Sequence, residues 1–355
     1  MKKLILAIFL LIAMPLISAC GNTKSSADNS NNGNTEANSN QKYVLKLAHS
    51  YSPGSYMHTF MEWFNEEVQK SSEGRLSLEI YPSAQLMPHD QEVPALLQGQ
   101  IDMVHSTSPV LSSFDPIWNF FDLPFIFKDN PKDPLVYLEN REKFLSSEDG
   151  GGMIAKRMEK RGVKILSFSY VDYFGTLFTN GKQVTNVDSA KGLKLRSPGG
   201  IITPQTIKAF GASGITITGA EAITAVQQGV VDGMISNPIY AYDVKLPLKN
   251  VTFAQLTNTV TPVLMSVDKF ESLPKDLQDI LVETGKKLET HAKETISNKI
   301  LEDLNKMESE MGMKIYYPSE KEINEMKTAT RSSWKLFEEK VDGGEELLKG
   351  ISTLD

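Results

Sequence analysis

Few residues in this chain have the type and spacing needed for chemistry. The single cysteine, Cys20, follows Ile17-Ser18-Ala19 and precedes Gly21. Small residues leading into a lone cysteine read as a bacterial lipobox, in which the thiol is acylated and becomes the new N-terminus. With no second cysteine, disulfide chemistry does not compete for it. The five histidines, at 49, 58, 89, 105 and 291, show no metal-ligand spacing, and no acid-rich calcium loop occurs. There is no Gly-x-Ser-x-Gly elbow and no phosphate-cradling glycine loop. These absences favour a binder over an enzyme, with no catalytic residue, cofactor or metal expected.

The elements around Cys20 suggest a compartment. Lys2 and Lys3 precede a thirteen-residue apolar run, Leu4 to Leu16. A membrane-spanning helix needs about 20 such residues, so residues 1–19 read as a cleaved signal peptide. Residues 20–42, rich in Asn, Ser, Thr and Gly, cannot bury a core and read as a flexible tether. The expected location is the outer face of the cytoplasmic membrane or the periplasm, with the lipid as anchor. A net charge of −7, with no basic stripe to neutralise phosphates, argues against nucleic acid as a partner.

Behind the tether, Val44 to Ala48 alternates as a strand. Met57, Phe60, Met61, Phe64 and Val68 recur at helical spacing, and Leu76 to Tyr81 alternates again. Strand, helix, strand is the opening of a parallel α/β sheet. An internal echo follows. Glu92-Val-Pro-Ala-Leu-Leu-Gln-Gly99-Gln-Ile-Asp102-Met103 is repeated as Glu221-Ala-Ile-Thr-Ala-Val-Gln-Gln-Gly229-Val-Val-Asp232-Gly-Met234. Each copy is an acid, a short apolar helix, a glycine C-cap and then an aspartate. Two lobes on one plan follow from this, although short helices ending in glycine are common in themselves. The aromatic run Asp115 to Phe127 reads as core more readily than as a ligand wall.

The last section is helical. Leu277, Ile280, Leu281, Thr284, Leu288, Ala292, Ile296, Ile300, Leu304, Met307 and Met311 keep one period from Ser272 onward. At 1.5 Å per residue, forty residues make a rod of roughly 60 Å, long enough to brace both lobes, with a kink possible at Gly285. Ser319 to Glu322 spells a capping box behind Pro318, opening a final helix through Trp334 and Phe337.

At Lys191-Gly-Leu-Lys-Leu-Arg196-Ser-Pro198 the chain resembles the DctP-type substrate-binding subunits of tripartite ATP-independent periplasmic (TRAP) transporters. Gly211-Ala212, Glu221, the run from Gln228 to Gly233, and Asn237-Pro238 carry the likeness further. So do Tyr81 to Leu86, Leu97 to Met103, Asp122 to Phe127 and Thr179-Asn180. The resemblance implies an α/β, two-lobed, periplasmic-binding-protein-like clamshell of type II, braced by the long helix, that closes on a small organic acid. Its lobes would be 43–173 with 262–301, and 174–261 with 302–355. By the same resemblance, Arg196 grips the ligand carboxylate. A guanidinium presents a planar fork that matches a carboxylate with two charge-assisted hydrogen bonds.

Asn237 or Ser236, with His49, Ser50, Thr107, Ser108 and Thr176, complete the expected ligand-binding set. Glu221 is expected to cap its helix. The family often carries a second arginine before the Thr-Asn pair. Here Tyr173-Phe-Gly-Thr-Leu-Phe-Thr-Asn180 has none, which fits a monocarboxylate better than a dicarboxylate. Implied partners are the large and small TRAP membrane subunits, served by a monomer. A ligand-sensing lipoprotein feeding a sensor kinase is the alternative.

Overall fold

Alternating exposure along Tyr43–His49 (β1) sends Leu45 and Leu47 inward and leaves Val44 and Lys46 in solvent. The computed structural model describes residues 41–352 apart from 131, 170, 171 and 218. The expected signal peptide, the lipidation of Cys20 and the tether up to residue 40 lie outside the described residues. After β1, Ser55 caps the helix Tyr56–Ser71 by accepting from His58 N, and that helix buries Met57, Phe60, Met61, Phe64 and Val68. Leu76–Tyr81 (β2) then pairs parallel with β1.

The remaining strands are β3 (Met103–His105), β4 (Val163–Ser167), β5 (Gly175–Thr179), β6 (Lys194–Ser197) and β7 (Ser213–Thr216). They are followed by β8 (Gly233–Ser236), β9 (Asn250–Thr257), β10 (Val263–Ser266) and β11 (Lys314–Tyr316). Two sheets form, ordered β2-β1-β3-β10-β4 and β11-β9-β5-β8-β6-β7. In the first, β2, β1 and β3 are parallel, and β10 lies antiparallel beside β3. In the second, β7, β6 and β8 are parallel, and β5 lies antiparallel beside β8. Each parallel trio is thus closed by a strand that enters just after the chain crosses from the other sheet, over 168–174 and 258–262. This is a two-lobed α/β fold.

The echo in the sequence is a repeat in space. Helix Glu92–Leu97 ends at Gly99 with φ +71°, and helix Gly219–Gln227 ends at Gly229 with φ +70°. In the left-handed region a glycine has no Cβ penalty. Asp102 Oδ2 accepts from Lys46 N at 2.8 Å, while its own N–H donates to Lys46 O. Asp232 Oδ2 accepts from Lys194 N at the same 2.8 Å, and its N–H donates to Lys194 O. In both lobes one aspartate therefore starts the third strand and pins the neighbouring one in register.

The long helix runs unbroken over Lys275–Ser309 and packs against helices Tyr56–Ser71 and Pro134–Ser146 and strand β4 on one side, and helix Pro238–Asp243 on the other. Gly285 is no kink. A Cβ there would lie 1.9 Å from Leu166 O, so glycine is needed for the helix to touch the backbone at the end of β4. The capping box at Ser319 and Glu322 forms as read. Its helix, however, stops at Ala329, where the backbone turns out of the helical region at Thr330 (φ −83°, ψ +3°); separate helices Arg331–Lys340 and Gly344–Ser352 follow.

The aromatic run is core: Trp118, Phe120 and Phe121 are fully buried, and Phe120 stacks on Phe144 at 4.7 Å. No helix among the described residues is long and apolar enough to cross a membrane.

Candidate ligand-binding site

Both parallel trios end where the crossover segments pass. In the first sheet, β1 and β3 stop in register at His49 and His105. The crossover segment before β10 runs alongside: Ser106 N donates to Pro262 O, and Ser108 N donates to Val260 O. In the second sheet, β6 and β8 stop at Ser197 and Ser236, and Asn237 Nδ2 donates to Tyr173 O of the other crossover at 3.1 Å. Asp172, buried in that crossover, accepts from Tyr173 N and from Tyr240 N at 3.0 Å. Beyond β6, Ile201 N donates to Asn119 Oδ1 at 3.0 Å. Gly200, at φ +68°, lies so close that a Cβ would meet Asn119 Oδ1 at 2.6 Å. Each strand end carrying expected residues is therefore bonded to a segment that crosses between the sheets, the kind of place where open α/β sheets hold their ligands.

On the second sheet, Arg196 sits in β6 between Ile215 and Met234 and is 8% exposed. Its Nε donates to Ile217 O at 2.9 Å. Among the described residues no carboxylate lies within salt-bridge distance of it. Burial lowers its pKa to about 10, partly offset by the nearby Tyr240 hydroxyl, so it remains a cation at neutral pH. A buried charge without a counterion is costly unless an anion from outside completes it.

On the first sheet, four of the five histidines gather. Tyr51 N donates to His49 Nδ1 at 3.1 Å, which leaves the His49 proton on Nε2, 3.0 Å from His58 Nδ1. The His58 proton then falls on Nε2, 3.4 Å from exposed Glu62, completing a relay from the buried strand end to solvent. Ser50 Oγ donates to Glu92 Oε1 at 2.8 Å, and His89 Nε2 lies 3.1 Å from Ser106 Oγ and 3.5 Å from Glu92 Oε2. The Tyr51 ring centroid lies 5.1 Å from that of His105 and 5.5 Å from that of His49.

Burial sets the charge state of this wall. It lowers His49 to about 4, helped by His58 and His89, and lowers His89 to about 4. It holds His105 well below the usual histidine range and pushes Glu92 up to about 8 against the Ser50 hydrogen bond. The first wall is polar and uncharged at these groups near neutral pH; the second holds a cation.

The expected residues divide. His49 and Ser50 join the wall, and Arg196, Ser236 and Asn237 stand together at the second sheet's end. Thr107 precedes helix Ser108–Leu111 without capping it through its side chain, whereas the Ser108 hydroxyl is taken by Val260 N at 3.3 Å. Thr176 is turned into the second sheet, its hydroxyl donating to Thr252 O and accepting from Ala254 N. At the neighbouring Gly175 a Cβ would lie 2.0 Å from Thr257 Oγ1, so no side chain, cationic or otherwise, fits there without displacement. Tyr51, His58, His89, Glu92 and His105 escaped sequence reasoning. They are scattered over 55 positions at no ligand spacing, and only the tertiary packing of β1, β3 and the neighbouring helices joins them.

The profile of the DctP family, described as bacterial extracellular solute-binding protein, family 7, matches residues 47–340. This chain belongs to that family. The family-7 protein is thus a substrate-binding component of the TRAP type, and the family is one of binders, not enzymes. The C4-dicarboxylate-binding periplasmic protein DctP of Rhodobacter capsulatus is 27% identical to it over 241 residues, which are 66% of this chain and 68% of that one. A TRAP periplasmic solute-binding protein of Haemophilus influenzae with bound L-gulonate is 24% identical and superimposes with a TM-score of 0.79, covering 88% of this chain and 99% of its own. A Bordetella pertussis extracytoplasmic solute receptor binding pyroglutamic acid is 19% identical with a TM-score of 0.77, covering 87% and 99%.

Proposed function

We propose that this family-7 protein is an exported, lipid-anchored receptor that captures a small monocarboxylate by clamshell closure and delivers it to the large and small membrane subunits of a TRAP transporter. The observation that carries this reading is Arg196: nine-tenths buried, cationic at neutral pH, and without a protein carboxylate among the described residues. Each charge-assisted bond from its fork is worth roughly 1.5–3 kcal/mol net. A bidentate pair therefore supplies much of the about 8 kcal/mol of a micromolar complex. Relatives described as binding C4-dicarboxylate, L-gulonate and pyroglutamic acid agree with an acid as solute. The stretch Tyr173 to Asn180 carries no second cation, which favours a single carboxylate.

The lobes fit the spans 43–173 with 262–301 and 174–261 with 302–355, since β10 returns to the first sheet and β11 to the second. Ligand bridging both strand ends stabilises the closed state by contacts that the open one lacks. Cys20 and the Asn- and Ser-rich stretch behind it support lipid anchoring at the outer membrane face. The test is thermal shift against a panel of organic acids, with wild type and Arg196→Met. Acids should raise the melting temperature of the wild type only, the variant's unliganded melt staying equal or higher. A panel without effect, or an undiminished shift in the variant, defeats the reading.

A further inference from the structure

The wall on the first sheet holds more polar atoms than it satisfies. Tyr51 Oη, both ring nitrogens of His105 and Thr261 Oγ1 are shielded from solvent without a hydrogen-bond partner, and Glu92 Oε2 has only His89 Nε2 near it, at 3.5 Å. His105, Glu92 and Thr261 are fully buried residues. The Thr261 backbone lies within reach of the His105 ring and favours its charged form, the smallest of the influences on that ring. These groups adjoin one another: the Tyr51 ring contacts His105, Glu92 lies within electrostatic reach of Tyr51, and Thr261 stands two residues before Val263, which pairs with His105. Natural interiors rarely leave buried polar groups orphaned singly, so a cluster at a strand end calls for a guest.

The chemistry of the cluster narrows that guest. A hydroxyl, a carboxyl, an imidazole and a second hydroxyl offer both donors and acceptors. No lysine or arginine forms an ion pair with Glu92 among the described residues. No group of three or more His, Cys, Asp or Glu side chains among them could hold a metal ion. A hydroxyl or carbonyl oxygen satisfies such a wall. A second carboxylate would be buried there without a countercharge.

We propose that Tyr51, Glu92, His105 and Thr261 form a subsite for the uncharged, hydrogen-bonding tail of the solute, which makes the solute a hydroxylated or oxo monocarboxylate rather than a dicarboxylate. This deepens the preceding section and rests on its assignment of Arg196 to the carboxylate. Tyr51, His105 and Glu92 are then specificity-determining residues, and their unmet bonds in the empty protein are a local cost that the ligand removes.

The test uses calorimetry with unsubstituted, hydroxylated and dicarboxylic acids matched at each chain length from three to six carbons, together with Tyr51→Phe and His105→Phe. The hydroxylated monocarboxylate should bind best at its length. Each variant should weaken it at least tenfold more than the unsubstituted acid. Without ligand, each variant should melt at an equal or higher temperature, because an orphaned polar group has been removed. A dicarboxylate that binds best, or variants that bind the hydroxylated acid as wild type does, overturns the proposal. Variants that melt lower without ligand overturn it as well, showing a structural network. Arg196→Met separates the two readings: if it keeps full binding, the carboxylate assignment has failed, whichever acid binds best.

Discussion

The two copies of the repeat, Glu92 to His105 and Glu221 to Ser236, share a backbone and differ in chemistry. Both end a helix on a left-handed glycine, begin a strand on an aspartate, and clamp the neighbouring strand through that aspartate at 2.8 Å. Yet the first delivers its strand end to a wall of neutral imidazoles and a protonated carboxyl, and the second to a buried cation. The backbone device settles where side chains emerge. Residue type at those few places settles what they can hold.

The largest effect should come from breaking the charged half. Arg196→Met should weaken carboxylate binding at least about a hundredfold, given roughly 1.5–3 kcal/mol per charge-assisted bond, as read by calorimetry, while the unliganded melt does not fall. If binding survives, the contrast between a charged and a neutral wall is lost.

Next is the frame that holds both halves. Gly285→Ala sets a methyl against the Leu166 carbonyl, where only backbone can yield, and should cost about 1–3 kcal/mol as overpacking does. Urea denaturation measures this, and an unchanged midpoint would mean the contact is slack. The paired aspartates come third. Asp102→Ala and Asp232→Ala should each cost about 1 kcal/mol from the lost hydrogen bond. Asp102 should cost slightly more, because it also meets Lys269 at 3.1 Å. A large gap between them would show that the repeat is one of shape, not of energetics.

The smallest effect concerns pH, and here the halves should part. Glu92 rises from 4.5 to about 8 on folding, so the stability tied to its protonation is whole below pH 4.5 and is lost as pH rises toward 8. His49 falls from 6.5 to about 4, so its contribution is whole above 6.5 and is lost as pH falls toward 4. Glu92→Gln should flatten part of the decline between pH 4.5 and 8, with buried Asp122, also raised to about 8, keeping its own share. Arg196→Met should leave that slope alone, since Arg196 titrates near 10. Denaturant melts from pH 4 to 9 compare the two. Equal slopes in wild type and Glu92→Gln would deny Glu92 its buried proton.

Local pattern carried far in this chain. Strand alternation, the helix period behind Lys275, the Ser319 capping box and the twin glycine–aspartate signals all depend on neighbours within a few residues, and all formed. The single helix expected through Trp334 did not, because the backbone turns out of the helix at Thr330, a change that composition does not announce. At the site, Arg196 was legible through the motif around it. The histidine wall was not: His49 meets His105 only because β1 and β3 pair in parallel register, and Glu92 reaches Ser50 across 42 positions.

The sequence by itself determined the opening strand–helix–strand, the two-copy plan, the long helix behind Lys275 and the cation at 196, since these follow from short-range periodicity and motif. Tertiary structure alone decided that Thr176 turns inward, that Thr257 crowds Gly175, and that Glu92 is buried among histidines. Such facts depend on which distant segments exclude water from one another. Burial sets both the pairing of polar groups and their charge, and no run of neighbouring residues encodes it.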